Sequence, residues 1–214
     1  MNCRTALLLF CLLLSAACNF NGKKPGIKHN STGAKFGGDT IYIQPFYPFD
    51  NERAQRVAIE VQKFYHVHVL ILPERKIYDE AKSPTGRYSA AKLLDLLDGQ
   101  LNGRKGKILG LTSYDIFCEK NGVKEWGIFG LGNCPGSSCV VSDFRLKKFK
   151  DRTEEFTINT TLHELGHTFG LPHCDYDERC LMNDAKGTIK TLYREKRWLC
   201  PHCAAKIGLT PVPI

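Results

Sequence analysis

The stretch Thr161-Leu-His163-Glu164-Leu-Gly-His167-Thr-Phe-Gly170-Leu-Pro-His173-Cys174 constrains this chain more than any other part of it. Residues four apart on an α-helix project from one face, so a helix through this stretch directs His163 and His167 to a common point. The helix can end at Gly170, because glycine accepts a left-handed conformation cheaply. Pro172 then forbids continuation. The chain can turn back and bring His173 beside the other two imidazoles. Three imidazoles suit zinc, at about 2.0–2.1 Å from each nitrogen, and leave a fourth position for water. Glu164 adjoins His163 and is placed to take a proton from a metal-bound water rather than to bind the metal itself.

Four cysteines follow closely: Cys174, Cys180, Cys200 and Cys203, the last two as the knuckle Cys200-Pro-His-Cys203. The set suits a tetrahedral zinc held by four thiolates, with Zn–S near ~2.3 Å. Disulfides are the competing reading if the chain is exported, and the spacing favours zinc. His202, inside the knuckle, is a possible substitute ligand. Cys134 and Cys139 form either a local disulfide or two free thiols. His66 and His68 alternate on an expected strand and face one side. No partner ligand is found for them, so they read as a core or surface pair.

The remaining pattern is mixed. Ile41 to Pro45 alternates as a first strand. Asp50 caps an amphipathic helix to about Tyr65, with Ala54, Val57, Ala58, Val61 and Phe64 at helical spacing. His66 to Pro73 reads as a strand. Ser89 caps a short helix carrying Ala90, Leu93, Leu94 and Leu97 on one face. Lys107 to Thr112, Trp126 to Leu131 and Cys139 to Ser142 read as further strands, followed by the histidine-bearing helix to about Phe169. The fold class is therefore α+β: a mixed sheet with helices packed on it.

The histidine motif, the cysteine set and Met182 in Cys180-Leu-Met182 together resemble the archaemetzincins, a family of zinc metallopeptidases in the metzincin clan. The gap of seventeen residues between Met182 and Cys200 matches that family. Five residues, Asp175 to Arg179, separate Cys174 from Cys180, one more than is usual there. Weaker similarity extends over Arg87 to Leu94, Gly110 to Phe117, Gly130-Leu-Gly and Val140 to Ser142. The resemblance implies a small domain with a twisted mixed sheet, a long active-site helix and a C-terminal zinc subsite made of four cysteines. It implies two zinc ions, one catalytic on His163, His167 and His173 and one structural on Cys174, Cys180, Cys200 and Cys203. It implies that Met182 forms the turn beneath the catalytic metal. It also implies that the strand near Gly127 to Leu131 is an edge that pairs with an extended peptide.

Residues 1–17 read as a signal peptide: Arg4 precedes an apolar run, Ala6 to Leu14, too short to span a membrane. The run closes on Ser15-Ala16-Ala17-Cys18, which resembles a bacterial lipoprotein signal with Cys18 as the lipidated residue. An ordinary secretory signal is the alternative. Residues 18–38 read as a tether rich in Gly, Lys and Asn, and residues 39–214 as the metallopeptidase domain. These expectations describe an exported, lipid-anchored monomer of a bacterial cell envelope, acting on peptide or protein substrates. The formal charge of +8 is spread along the 214 residues and forms no long basic arm. With the export signal, that argues against a nucleic-acid binder. A catalytically silent zinc-binding interaction protein is the other class, and an intact Glu164 argues against it.

Overall fold

The computed structural model describes residues 40–184, 190–194 and 196–210. The expected signal peptide, the Cys18 lipidation site and the tether lie outside them. In chain order the elements are β1 (Thr40–Tyr47), α1 (Asn51–Tyr65), β2 (His68–Ile71), β3 (Arg75–Lys76), β4 (Tyr88–Ser89), α2 (Ala90–Leu101) and β5 (Lys107–Thr112). Then follow β6 (Ile116–Lys120), β7 (Val123–Ile128), β8 (Gly130–Gly132), β9 (Ser138–Ser142), α3 (Thr153–Thr168), α4 (Lys190–Arg194) and α5 (Pro201–Lys206).

The main sheet runs β2-β1-β5-β9-β8, with β3 on the far end of β1. All its pairings are parallel except that of β8 with β9. Parallel strands covered on both faces bury nearly every side chain. Alternation divides them: Ile41, Ile43, Leu109, Leu111 and Val141 enter one core with α1 and α3, while Phe46, Ile108 and Val140 enter a second core under α2. The expected mixed sheet with packed helices is the observed architecture. Asp50 caps α1 by accepting from the Arg53 N–H at 2.7 Å, and Ser89 caps α2 at Lys92.

Two expectations are corrected. The segment Trp126 to Leu131 is not one strand: it breaks at Phe129, where the chain leaves the β4-β6-β7 sheet and β8 joins β9. The pattern of strands read from the sequence also lacks its partner β6. The signal for that hairpin is Asn121-Gly122, both at positive φ (52° and 77°), because an Asn-Gly pair between strands supplies the turn that hairpin twist demands. Next, the strand after α1 begins at His68, not His66. His66 takes the left-handed cap of α1 (φ 54°, ψ 40°), so the two exposed histidines do not share a strand face. Of the two alternatives left open for Cys134 and Cys139, the structure has the free thiols. Cys139 points into the core from β9, and Cys134 lies 3.4 Å from the Leu171 carbonyl.

Candidate metal centre and active-site cleft

α3 runs through the middle of the molecule: from Phe156 to Thr168 every residue but His163 is buried. Tyr65 of α1 donates its hydroxyl to the Leu162 carbonyl and so ties α3 to α1 inside the core. The helix ends in a Schellman motif. The Leu171 N–H reaches the Gly166 carbonyl at 3.0 Å and the Gly170 N–H the His167 carbonyl at 2.8 Å, with Gly170 at φ 88°. Pro172 and His173 follow this reversal, and His173 returns to the face carrying His163 and His167. The ring centroids stand 4.7, 5.4 and 4.9 Å apart for the 163–167, 163–173 and 167–173 pairs.

The outer nitrogens of these rings are engaged. His163 Nδ1 lies 2.6 Å from the Leu181 carbonyl and His167 Nδ1 2.7 Å from the Leu171 carbonyl. A carbonyl only accepts, so each Nδ1 carries the proton and each Nε2 keeps its lone pair. His173 Nδ1 faces Asp184 at 4.0 Å. One nitrogen from each ring forms a group whose members lie within 4.8 Å of one another. Burial, reinforced by His167, lowers His163 to about 3, and burial lowers His167 as well. Neutral imidazoles with free, converging lone pairs are the form in which histidine binds a metal. The donor set therefore fits zinc.

Glu164 projects beside this group and is almost entirely buried. Its neighbour is β8, and the glycines there explain the close approach. A Cβ on Gly130 would lie 2.6 Å from Glu164 Cγ, and one on Gly132 would lie 2.6 Å from the Glu164 carbonyl oxygen. Gly166 plays the same part underneath: a Cβ there would lie 2.5 Å from the sulfur of Met182, which is wholly buried below the helix. The Met182 carbonyl accepts from the Cys174 N–H at 2.7 Å, and Asn183 Nδ2 donates to the Cys174 carbonyl at 3.0 Å. The Met182 turn is thereby fastened to the cysteine group.

Cys174, Cys180, Cys200 and Cys203 are buried, with their sulfurs within 4.8 Å of one another. The sulfurs of Cys174 and Cys200 stand 3.7 Å apart, and all four are free thiols. Backbone N–H groups point at the sulfurs, from Tyr176 to Cys174 and from Cys200 to Cys180, each at 3.4 Å. Burial pushes Cys180 up to about 12 and raises Cys203, whereas at Cys174 hydrogen bonds from Tyr176 and Asp177 outweigh burial and lower it. A buried cluster of this kind needs a cation to hold it as thiolates. His202 lies outside the four-sulfur group, and its ring stacks on Tyr176 with centroids 3.7 Å apart. The extra residue between Cys174 and Cys180 falls in a turn in which the Cys180 N–H bonds the Asp177 carbonyl, with Tyr176 exposed.

The histidines and Glu164 open onto a cleft of about 750 Å³, walled by β8, the β6–β7 hairpin, Pro172 and Asp184. The family model described as Peptidase family M54 matches residues 51–208. The chain belongs to the M54 peptidases, the archaemetzincins. The archaemetzincin of Halobacterium salinarum is 30% identical over 163 residues, covering 70% of this chain and 88% of that protein. The crystal structure of archaemetzincin from Methanopyrus kandleri superposes with TM-score 0.67 at 29% identity, over 81% of this chain and 96% of that one. That of Archaeoglobus fulgidus archaemetzincin, complexed with malonate, gives 0.66 at 25% identity, over 78% and 99%. As an archaemetzincin, the chain is a zinc metallopeptidase, and zinc is its expected metal.

Proposed function

We propose that this archaemetzincin hydrolyses peptide bonds with a catalytic zinc on His163, His167 and His173, Glu164 as general base, and a second, structural zinc on Cys174, Cys180, Cys200 and Cys203. The supporting observation is the convergence of three imidazoles with engaged Nδ1 atoms beside a carboxylate that faces an open cleft. Zinc held there would supply a Lewis acid that lowers the pKa of a water towards about 7 and polarises the scissile carbonyl. A carboxylate oxygen of Glu164 takes the proton of the attacking water and passes it to the nitrogen of the leaving amine. β8 ends the main sheet, so its outer edge can receive an extended peptide by backbone pairing. Met182 serves as the packed base of the centre. A silent interaction protein would leave the Gly130–Glu164 fit without purpose.

The N-terminal reading is carried by sequence alone. Residues 1–17 direct export, Cys18 receives the lipid, and residues 18–38 tether a monomeric domain, 39–214, to the cell envelope. Incorporation of a fatty-acid analogue by the wild type and not by Cys18→Ser is the expected result, and an unlabelled wild type refutes it.

The activity is tested with the purified protein on a diverse peptide library, before zinc chelation, after it, and after zinc is restored. Cuts that vanish and return fit the account, and cuts that persist without metal contradict it.

A further inference from the structure

The charged lining of the cleft is segregated. Glu164 and Asp184 stand with the imidazole group, whereas Lys120, Arg145 and Lys148 bring three cations against Glu119 to the rest of the lining. Arg145 is fixed in place. Its Nε and Nη2 donate to Asp115 at 2.6 and 2.9 Å, and its guanidinium fills the space a side chain on Gly127 would need. Asp115 also accepts from Arg87 at 2.8 Å, and Arg87 in turn pairs with Glu125 at 3.5 Å, so of Arg87, Arg145 and Lys148 it is Lys148 that no carboxylate among the described residues offsets. Lys148 forms no ion pair among the described residues, its Nζ resting 5.1 Å from the Phe149 ring.

The surroundings of these cations are apolar and carry one uncommitted hydroxyl. Leu146, between Arg145 and Lys148 in sequence, is buried with Phe156 and Leu192, and Phe129 packs on that cluster. Phe129, Leu192 and Thr160 line the cleft. Thr160 precedes His163 by one helical turn and is only 7% exposed, yet its hydroxyl has no partner among the described residues. A helical threonine can satisfy itself on the carbonyl one turn back, as Thr157 does on Thr153 at 2.7 Å. A buried hydroxyl left unpaired at the wall of a cleft is a costly arrangement unless a ligand completes it.

We propose that this arm of the cleft is a specificity subsite for an acidic side chain of the peptide substrate. Lys148 and Arg145 attract the carboxylate, the Thr160 hydroxyl is available to donate to it, and Phe129 and Leu192 take the aliphatic stem. Arg145 packs on Gly127, three residues before the Gly130 that touches Glu164. At no more than ~3.3 Å per residue, the Cα atoms of Gly127 and Gly130 lie within about 10 Å of each other, which sets the subsite a few residues of peptide away from the general base. The acidic residue therefore sits one to three positions from the scissile bond, on one side of it only. This inference rests on the peptidase reading above.

Binding separates the two. Fluorescence anisotropy of labelled peptides on zinc-loaded Glu164→Ala protein, with glutamate replacing glutamine at each position in turn, needs no turnover. One position is expected to bind about five- to twentyfold more tightly as glutamate, less so at high salt. In Lys148→Glu protein the preference at that position is expected to pass to lysine. Thr160→Val is expected to weaken the glutamate peptide more than the glutamine peptide, because a hydrogen bond to a carboxylate is stronger than one to an amide carbonyl. Equal binding of glutamate and glutamine at every position overturns the subsite, as does a preference that survives Lys148→Glu. Wild-type protein assayed on the same peptides reports on the peptidase reading independently: cleavage without acidic preference sinks the subsite alone, and neither cleavage nor binding sinks both.

Discussion

Replacing Gly130 with alanine adds one methyl group directly against the proposed general base. The new Cβ would lie 2.6 Å from Glu164 Cγ and 2.8 Å from Oε1. Carbon atoms rest at about 3.5–4.0 Å, so either the carboxylate arm or the edge strand moves by roughly 1 Å. Cγ stands two bonds from Cα, so moving it takes a χ1 rotation of the whole carboxylate arm or a shift of a helix buried along this length. Backbone strain is not a factor, since Gly130 is not among the positive-φ glycines. The stability cost is therefore small: about 1–3 kcal/mol for overpacking, offset by about 0.4–1 kcal/mol from the stiffer unfolded chain. Misplacing a catalytic group by 1 Å can cost about 10²-fold in rate. The expected outcome of Gly130→Ala is a fall in kcat/KM of roughly 10- to 100-fold, with zinc content unchanged and Tm lowered by only a few degrees. A variant that keeps kcat/KM within about twofold of wild type would show that the β8–Glu164 fit does not matter to the chemistry.

Three further outcomes follow from the same contacts. Asp184→Asn removes the charge facing His173 Nδ1 at 4.0 Å and is expected to weaken zinc binding about tenfold in a chelator competition while leaving the circular dichroism spectrum unchanged. His163 stays neutral in the fold to about pH 3, while its unfolded counterpart takes a proton near 6.5. The unfolded chain therefore binds more protons between those values, and the stability of the metal-free protein, read by urea titration, should fall as pH drops from 6.5 towards 3. Chelation of the wild type should make Cys174, Cys180, Cys200 and Cys203 reactive to a thiol reagent and lower Tm together, with zinc restoring both. Unreactive thiols after complete metal loss would contradict the assignment of a zinc to these four cysteines.

Much of the site is legible in the sequence because its chemistry is local there. The four-residue spacing of His163 and His167, the stop at Gly170 and Pro172, and the return of His173 all lie within one helix and its exit. The caps at Asp50 and Ser89 and the bounds of β5 are legible for the same reason. What escapes depends on contacts between distant segments. Nothing around Glu164 announces that Gly130 and Gly132 must lack side chains to accommodate it, or that the Leu181 and Leu171 carbonyls fix the imidazole tautomers. The break at Phe129 is hidden because Trp126 to Leu131 is continuously compatible with a strand, and only pairing with β6 and β9 separates its halves. The β6–β7 hairpin, by contrast, carries a readable turn at Asn121-Gly122. The free thiols at Cys134 and Cys139 follow from β9, whose alternation sends Cys139 into the core.

The central claim is that Glu164 moves the proton at a metal centre built from His163, His167 and His173. It is tested most directly by comparing wild type with Glu164→Gln on one cleaved peptide, with zinc measured in each protein. The account predicts equal zinc content and a kcat lower by about 10²–10⁴-fold in the variant. Equal zinc and undiminished kcat would contradict it.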